Sequence, residues 1–197
     1  MPSVYESVKN FQKFTRNSAD MREFKINTNE LSTVAANIKV GDRVILSGTV
    51  YTARDAAHKR IFELLDSGTP LPFSLKDAVI YYAGPTPTPP NLAIGSCGPT
   101  TSSRMDAYSP RLFDLGVKCV IGKGDRSEEV AESIVKNGAL YLCAIGGCGA
   151  LAAARISECE VIAFPELGCE SVKRLTFKDF PLICAIDTKG GNLFKLR

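Results

Sequence analysis

The chain has 197 residues, of which 45% are hydrophobic and 23% are charged, and its formal net charge is +3. This length is sufficient for one domain with a real core, and the composition is typical of a globular protein rather than a disordered segment. Basic and acidic residues are well mixed along the chain, and no basic segment is interleaved with aromatic residues. We therefore expect no nucleic-acid partner.

Seven cysteines and a single histidine restrict the possible sites and the compartment. An odd number of cysteines, with no apolar signal sequence at the start, predicts reduced thiols and a cytoplasmic location. No apolar run approaches the roughly 18 residues that a membrane-spanning helix needs, so no membrane association is expected. Because Cys-x-x-Cys pairs are absent and one histidine cannot complete a common zinc site, we expect this chain to bind no metal or cluster by itself.

Residues 1–22 form a basic segment with few strong apolar positions, which we interpret as an extension that is flexible or docked on a partner. The domain itself is predicted to cover residues 23–197. It begins with two predicted strands, residues 23–29 and 43–51, in which apolar side chains alternate or cluster between turn residues.

A helix is predicted directly after the second strand, running from a cap at Thr52 to about Asp66. Asp55 at its third position would complete an arrangement similar to a capping box. Arg54 and His58 are four residues apart, so both can project from the same side of the helix N-terminus. That side would lie beside the end of a strand.

Strands and helices alternate through the rest of the chain. Strands are predicted over residues 78–83, 117–121, 140–145, 161–164, 172–177 and 182–186, and helices over residues 110–115, 127–137 and 150–155. The alternation indicates an α/β core with parallel strand pairs, bordered by strand-rich ends. Periodicity alone does not distinguish a doubly wound sheet from other α/β arrangements.

The segment from Gly95 to Asp106 concentrates glycine, hydroxyl and guanidinium groups within twelve residues. Its glycines and proline oppose regular structure up to Thr100, and a helix can begin at Thr100 or Thr101 with a hydroxyl as N-cap. Free N–H groups at such an N-terminus attract a carboxylate or phosphate, and Arg104, one turn later, adds a guanidinium suited to a carboxylate. The segment therefore predicts an anion site.

Four further motifs accompany this segment in a fixed order. They are Thr52-Ala53-Arg54-Asp55-Ala56-Ala57-His58-Lys59, Tyr82-Ala83-Gly84-Pro85, Ile121-Gly122-Lys123-Gly124 and Pro165-Glu166-Leu167-Gly168. With these motifs, residues 39–196 resemble the C-terminal domain, or separate β subunit, of the iron–sulfur-dependent class I fumarate hydratases and tartrate dehydratases. The resemblance implies a single three-layer swivelling β/β/α domain with a mixed sheet.

The polar residues singled out follow strands or open helices, and in open α/β folds such positions converge at one edge of the sheet. Two arginines and a lysine would hold both carboxylates of a dicarboxylic acid, and the resemblance implies this substrate-binding role for Arg54, Arg104 and Lys123. Thr101 and His58 are further candidates for substrate binding. For His58, a role in orienting Arg54 and packing in the subunit interface are the alternatives.

The resemblance also implies that Thr100 transfers a proton at the substrate carbon. An unaided hydroxyl is a poor base at neutral pH, so Thr100 would need nearby cations and N–H groups to stabilise an alkoxide. A role as N-cap can coexist with this one. Asp55 is interpreted as a cap or as a residue that orients an arginine, whereas the sequence assigns no role to Glu166 and Glu170.

Removal of water from a hydroxy acid also needs a Lewis acid, and the resemblance implies a [4Fe–4S] cluster on a partner α subunit. The predicted function is therefore that of the β subunit of a hydro-lyase that interconverts fumarate and malate. It would be active only with its partner, in an α2β2 assembly. The β subunit of a tartrate dehydratase is the nearest alternative, because the same motifs serve both enzymes.

Two more distant alternatives come from other functional classes. Cys97 can be read as the nucleophile of a thiol enzyme, lying at a helix N-terminus and activated by His58. The chain can also be read as a non-catalytic domain that binds carboxylates. Such a domain would bind fumarate tightly without a partner, whereas half of a shared active site should bind it weakly.

Overall fold

A computed structural model describes residues 21–195 and shows a mixed seven-stranded sheet within these residues. The strands are β1 (Glu23–Asn27), β2 (Arg43–Thr52), β3 (Val79–Tyr81), β4 (Cys119–Gly122), β5 (Leu140–Cys143), β6 (Ile156–Ala163) and β7 (Val172–Ile186). The α-helices are α1 (Leu31–Val34), α2 (Asp55–Asp66), α3 (Ser109–Asp114), α4 (Glu128–Lys136) and α5 (Gly149–Ala153). Short 3₁₀ helices cover Thr28–Glu30, Ala35–Asn37, Ser102–Met105 and Pro165–Glu170. The predicted extension lies outside the described residues, apart from its last two positions.

The sheet combines parallel and antiparallel pairs. β1 to β5 pair in parallel in chain order, as the alternation of strands and helices predicts. β7 runs antiparallel to β2, β5 and β6 and lies between them. The predicted α/β core with parallel pairs and a mixed sheet is therefore confirmed.

The short strands β3, β4 and β5 are buried on both faces, because their side chains alternate between two hydrophobic clusters. Val79 and Tyr81 of β3 belong to the cluster that contains Phe177 of β7. Ile80 of β3 and the following Tyr82 belong to the second cluster, which includes apolar residues of α2, α3 and α4. Because both faces of these strands are apolar, polar residues that could bind a ligand are expected just after the strand ends.

The predicted cap of α2 is wrong. The helix begins at Asp55, Arg54 occupies the N-cap position, and the Arg54 side chain makes no capping hydrogen bond. The hydroxyl of Thr52 instead donates to the carbonyl oxygen of Ser171 at 3.2 Å and accepts from the backbone N–H of Lys173 at 2.9 Å. Thr52 thus ends β2 by joining it to β7, which competes with local capping.

The helix predicted to begin at Thr100 or Thr101 is a short 3₁₀ helix, Ser102–Met105, and neither threonine caps it with its side chain. The N–H of Thr100 donates to the carbonyl oxygen of Tyr82 at 2.7 Å, and its own carbonyl accepts from Lys123 N at 3.3 Å. The backbone of Thr100 therefore continues the sheet edge between β3 and β4.

The last strands are longer than predicted. β6 begins at Ile156 rather than at residue 161, and β7 is one strand of 15 residues where two were predicted. Within β7, Asp179 has a φ of 49°, and Pro181 lies two residues later. A register shift opposite them, between Leu46 and Gly48 of β2, accommodates the irregularity, and Asp179 N donates to Ser47 Oγ at 3.0 Å. In the described part of the chain no helix is both long and apolar enough to cross a membrane.

Candidate active site

The residues predicted to bind an anion gather at the carboxyl ends of β2, β3 and β4. Arg54 lies two residues after β2, and Lys123 directly follows β4. Ala83, two residues after β3, pairs with Pro99 in an isolated antiparallel bridge, and Thr101 pairs with Lys123 in a parallel one. These bridges bring the loop with Thr100 and Thr101 to the same edge of the sheet, as the sequence predicts.

Asp55 links the two candidate arginines. Arg104 Nε donates to Asp55 Oδ1 at 3.1 Å, and Arg104 Nη2 lies 2.9 Å from Asp55 Oδ2. Arg54 Nη2 lies 3.9 Å from Asp55 Oδ2 and 3.4 Å from Glu170 Oε1. The charges thus alternate along a row from Glu170 through Arg54 and Asp55 to Arg104. Of the interpretations left open for Asp55, the geometry favours orientation of an arginine.

Gly84 gives the Arg54 side chain the space it occupies. A Cβ atom at position 84 would lie 2.9 Å from Arg54 Nη1 and 3.2 Å from Arg54 Cδ. The Arg54 side chain is 19% exposed, and its buried Nε has no hydrogen-bond partner among the described residues. A buried donor without an acceptor is costly, which makes this guanidinium suited to an additional anionic ligand.

Lys123 is tied to the loop of candidate hydroxyl residues through the backbone. Its N–H donates to Thr100 O at 3.3 Å, and its carbonyl accepts from Ser102 N at 2.9 Å. The aliphatic part of its side chain runs along Gly146, where a Cβ atom would lie 3.3 Å from Lys123 Cδ. Thr100, Thr101 and Lys123 therefore form a second group beside the row of arginines and carboxylates.

His58 lies in the core, not in the row of charged residues. The residue is fully buried, and its ring stacks on Tyr108 and meets the ring of Tyr82 edge-on. Burial lowers the pKa of His58 to about 4, so the imidazole is neutral at pH 7, and Nδ1 lies 2.8 Å from the carbonyl oxygen of Arg54. His58 is therefore packed inside this chain rather than at a surface that a partner subunit could cover, and its Nδ1 lies against the backbone of Arg54.

Arg126 is a buried arginine that joins two segments of the site through an ion pair and hydrogen bonds. No sequence signal pointed to it. Its side chain is fully enclosed, with Nε donating to Asp106 Oδ1 at 2.7 Å and Nη2 donating to Ser109 Oγ at 2.6 Å. The guanidinium also lies 5.5 Å from the ring centroid of Tyr82 and 5.1 Å from that of Tyr141. Arg126 therefore joins the loop after Lys123 to the residues that follow the 3₁₀ helix of Arg104.

The surroundings of Cys97, which is completely buried, do not fit the thiol-enzyme alternative. Burial raises the pKa of the Cys97 thiol to about 12, whereas a nucleophilic cysteine needs a lowered pKa. Cys97 also packs in the cluster that contains Tyr81, whereas His58 contacts Tyr82 of the other cluster.

Between residues 21 and 195, no three His, Cys, Asp or Glu side chains lie close enough to hold a metal ion, so this donor set does not fit a metal ion or a cluster.

Comparisons with known proteins agree with the resemblance of the motifs. A family model described as "Fumarase C-terminus" matches residues 3–197. The chain is 45% identical over 157 residues to Fumarate hydratase 2 of Leishmania major, an alignment that covers 79% of this chain and 28% of the relative. It is 42% identical over 158 residues to the anaerobic class I fumarate hydratase of Escherichia coli strain K12, covering 79% of this chain and 29% of the relative.

A third relative is similar over most of its own length. The putative L(+)-tartrate dehydratase subunit beta of Methanocaldococcus jannaschii is 40% identical over 164 residues, which is 80% of this chain and 84% of the relative. By contrast, the chain spans less than a third of the length of the fumarate hydratases that it matches.

Proposed function

Because the chain belongs to the family of fumarase C-terminal domains, we propose that it binds the substrate of an iron–sulfur hydro-lyase that interconverts fumarate and malate. In this proposal the chain is a β subunit, and its active site is shared with an α subunit. The names of the relatives, class I fumarate hydratase and tartrate dehydratase subunit beta, support both the reaction class and the division into two parts.

Three cations lie with Thr100 and Thr101 at the carboxyl ends of β2, β3 and β4, and this grouping is the observation that supports the proposal best. Arg54 and Arg104 present planar guanidinium groups that suit carboxylates, and Lys123 adds a third positive charge. Fumarate and malate each carry two carboxylates. Cations gathered along one sheet edge can hold both ends and fix the carbon atoms between them.

Thr100 is the proposed proton-transfer residue. In malate dehydration its alkoxide Oγ takes a proton from the carbon beside a carboxylate. The electron pair of that C–H bond forms the carbon–carbon double bond, and the hydroxyl group departs from the neighbouring carbon as hydroxide with the electron pair of the broken C–O bond. Lys123, joined to Thr100 through the backbone, and Arg104, one turn later, favour the alkoxide that this step requires. In fumarate hydration the same hydroxyl returns the proton.

We assign the [4Fe–4S] cluster to the partner α subunit, because the donor groups described for this chain do not fit one. The cluster would supply the Lewis acid that helps the hydroxyl group to depart. The residues of this chain bind and orient the dicarboxylate and move one proton. An α2β2 assembly in the cytoplasm completes the proposal, and the free thiols support a reducing compartment.

The finer fold expectation also belongs to this proposal. Two hydrophobic clusters, one on each side of β3 to β5, support a three-layer swivelling β/β/α domain. Helices α2, α3 and α4 would form one outer layer, and β7 with its neighbours would form the other.

The second candidate is the β subunit of an L(+)-tartrate dehydratase. It is favoured by the extent of the alignments, since the chain covers 84% of one such subunit and 79% of another, from Escherichia coli strain K12. Tartrate is also a dicarboxylate, and the same cations would bind it. The two candidates differ in the second hydroxyl group that the pocket must accept.

The test is the hydration of fumarate by the purified chain, alone and after anaerobic mixing with its cluster-bearing partner. We expect activity only in the mixture, and we expect Arg104→Ala to abolish it by removing a carboxylate-binding group. Dehydration of L(+)-tartrate in the same mixture separates the candidates, and a faster reaction with tartrate favours the second. Full activity of the chain alone, or tight fumarate binding without a partner, would overturn the shared-site proposal.

A further inference from the structure

We infer that Glu170 positions Arg54 for its substrate carboxylate and that the buried ammonium group of Lys173 holds Glu170 in place. The inference rests on the proposed function, in which Arg54 is a substrate-binding residue. It also gives a role to the segment Pro165–Glu170, whose motif the proposed function leaves without one.

One carboxylate contacts both the start of α2 and the guanidinium group of Arg54. Glu170 Oε2 accepts a hydrogen bond from Ala56 N at 2.9 Å, and Oε1 lies 3.4 Å from Arg54 Nη2. Arg54 occupies the N-cap position without capping the helix, so Glu170 satisfies a donor that would otherwise be free. Its side chain is 21% exposed, which shields the pair from solvent. Glu170 therefore fixes the arginine relative to the helix that begins beside it.

Lys173 stabilises the turn that carries Glu170. The residue is 7% exposed, and Nζ lies within hydrogen-bond distance of Gly168 O (3.0 Å), Cys169 O (3.2 Å), Ser171 O (3.3 Å) and Ser171 Oγ (2.6 Å). Gly168, at a φ of 58° and a ψ of −115°, has the positive φ that this turn needs and that glycine adopts without a steric cost. Because a buried ammonium group is costly unless its donors are satisfied, Lys173 favours the chain path that surrounds it with oxygen atoms.

The same segment also holds the backbone next to Arg54. The hydroxyl of Thr52, two residues before Arg54, donates to Ser171 O at 3.2 Å and accepts from Lys173 N at 2.9 Å. Thr52 is completely buried. Residues 170–173 thus contact the end of β2, the start of α2 and the guanidinium group between them.

A positioning role and a merely neutralising role predict opposite effects on substrate binding. If Glu170 only reduced the positive charge of Arg54, its removal would strengthen the attraction between Arg54 and a dicarboxylate. If Glu170 positions Arg54, its removal lets the guanidinium group leave the geometry in which it meets the substrate, and binding becomes weaker. A role limited to capping α2 predicts no effect of a substitution that keeps the acceptor oxygen.

The decisive variant is Glu170→Gln, assayed in the reconstituted complex. The amide oxygen can still accept from Ala56 N, whereas the charge opposite Arg54 is lost. We expect KM for fumarate to rise about tenfold while kcat changes less than about threefold. Glu166→Gln is the matched control, because Glu166 lies in the same 3₁₀ helix but pairs with Arg60, at 3.3 Å, and wild-type kinetics are expected. An unchanged or lower KM in Glu170→Gln would overturn the inference.

Arginine side-chain NMR of the chain alone keeps this inference distinguishable from the proposed function. The Nε–H signal of Arg54, assigned by its loss in Arg54→Lys, should shift in Glu170→Gln and in Lys173→Gln but not in Glu166→Gln. An inactive wild-type mixture would count against the proposed function, and the NMR result would then decide the inference. An Arg54 signal that is unchanged in Glu170→Gln overturns the inference, and one unchanged in Lys173→Gln overturns the part assigned to Lys173.

Discussion

Two of the proposed substrate-binding cations lie directly against glycines. Gly84 leaves room for the guanidinium group of Arg54, and Gly146 leaves room for the side chain of Lys123. Neither glycine needs a left-handed backbone conformation, so the requirement at both positions is space. A long cation that lies against bare backbone loses side-chain freedom before any ligand arrives, which lowers the cost of ordering it on binding.

Gly84→Ala tests this use of space. The new methyl group would lie 2.9 Å from Arg54 Nη1, closer than carbon and nitrogen atoms can pack, so the guanidinium group must move. We expect KM for the dicarboxylate to rise about tenfold in the reconstituted complex, with the thermal midpoint of the chain changed by only a few degrees. Steady-state kinetics and a thermal melt measure the two quantities. Wild-type KM would show that Arg54 tolerates displacement.

His58 makes the stability of the chain depend on pH. Its pKa is about 4 in the folded chain and 6.5 in the unfolded chain, so between these values the unfolded state binds more protons. The free energy of unfolding should therefore decrease as pH falls from about 6.5 to about 4, by about 3 kcal/mol from this group. Stability above pH 7 should not depend on it.

Urea unfolding of the wild type and His58→Asn between pH 7 and pH 4.5 measures this contribution. Asparagine keeps an N–H donor for the Arg54 carbonyl oxygen but does not titrate. Carboxyl groups titrate equally in both proteins, so the difference between the two pH profiles isolates His58. Parallel profiles would mean that the imidazole is not held neutral in the core.

At the scale of elements, local capping patterns were reliable only where no distant partner competed. Ser127 was predicted to begin a helix, and its Oγ accepts from Val130 N at 3.3 Å. Thr52 shows an equally good local pattern, yet its hydroxyl bonds to residues that follow it by 119 and 121 positions. Helix α2 begins later than predicted because the Thr52 hydroxyl bonds to Ser171 and Lys173 instead of capping the helix.

Arg126 joins two elements of the site, and its removal should cost far more stability than that of a surface arginine. Arg126→Met removes a fully buried guanidinium group from Asp106 and Ser109, and breaking a buried ion pair costs about 3 kcal/mol or more. Arg111→Met is the matched control, because Arg111 of α3 pairs with Asp66 on the surface, which is worth less than about 1 kcal/mol. Urea unfolding compares the two. Equal losses of unfolding free energy in the two variants would mean that Arg126 contributes no more to stability than a surface arginine does.

For the whole molecule, the place where the candidate site residues gather was easier to predict than the strand order. Arg54, Thr100, Arg104 and Lys123 occur in motifs that are short in sequence, and the rule that polar residues meet at strand ends predicted where they gather. The sheet depends instead on β7, whose pairing with β2 joins positions as distant as Arg43 and Ile183. No local pattern encodes such a pairing. For the same reason the sequence assigned no roles to Arg126, Glu170 or Lys173, whose partners are distant in the chain.

The pairings β2–β3–β4–β5–β7–β2 close on themselves, and this closure has a measurable consequence for the site. Strands inside the circuit should open only with the whole domain, whereas β1, which pairs only with β2 among the described strands, should open locally. In native-state hydrogen exchange, we expect amides of β7 to exchange with the free energy of global unfolding and those of β1 to exchange with a smaller one.

The amide of Lys173 is the probe that connects this behaviour to the site. It donates to the buried hydroxyl of Thr52, so its exchange reports whether the segment that holds Arg54 opens separately from the sheet. Exchange of Lys173 N–H at the global free energy would mean that the chain carries its arginine preorganised before any partner binds. Exchange as fast as in β1 would mean that a partner must order the segment that holds Arg54. KM would then depend on assembly of the complex as well as on Arg54 itself.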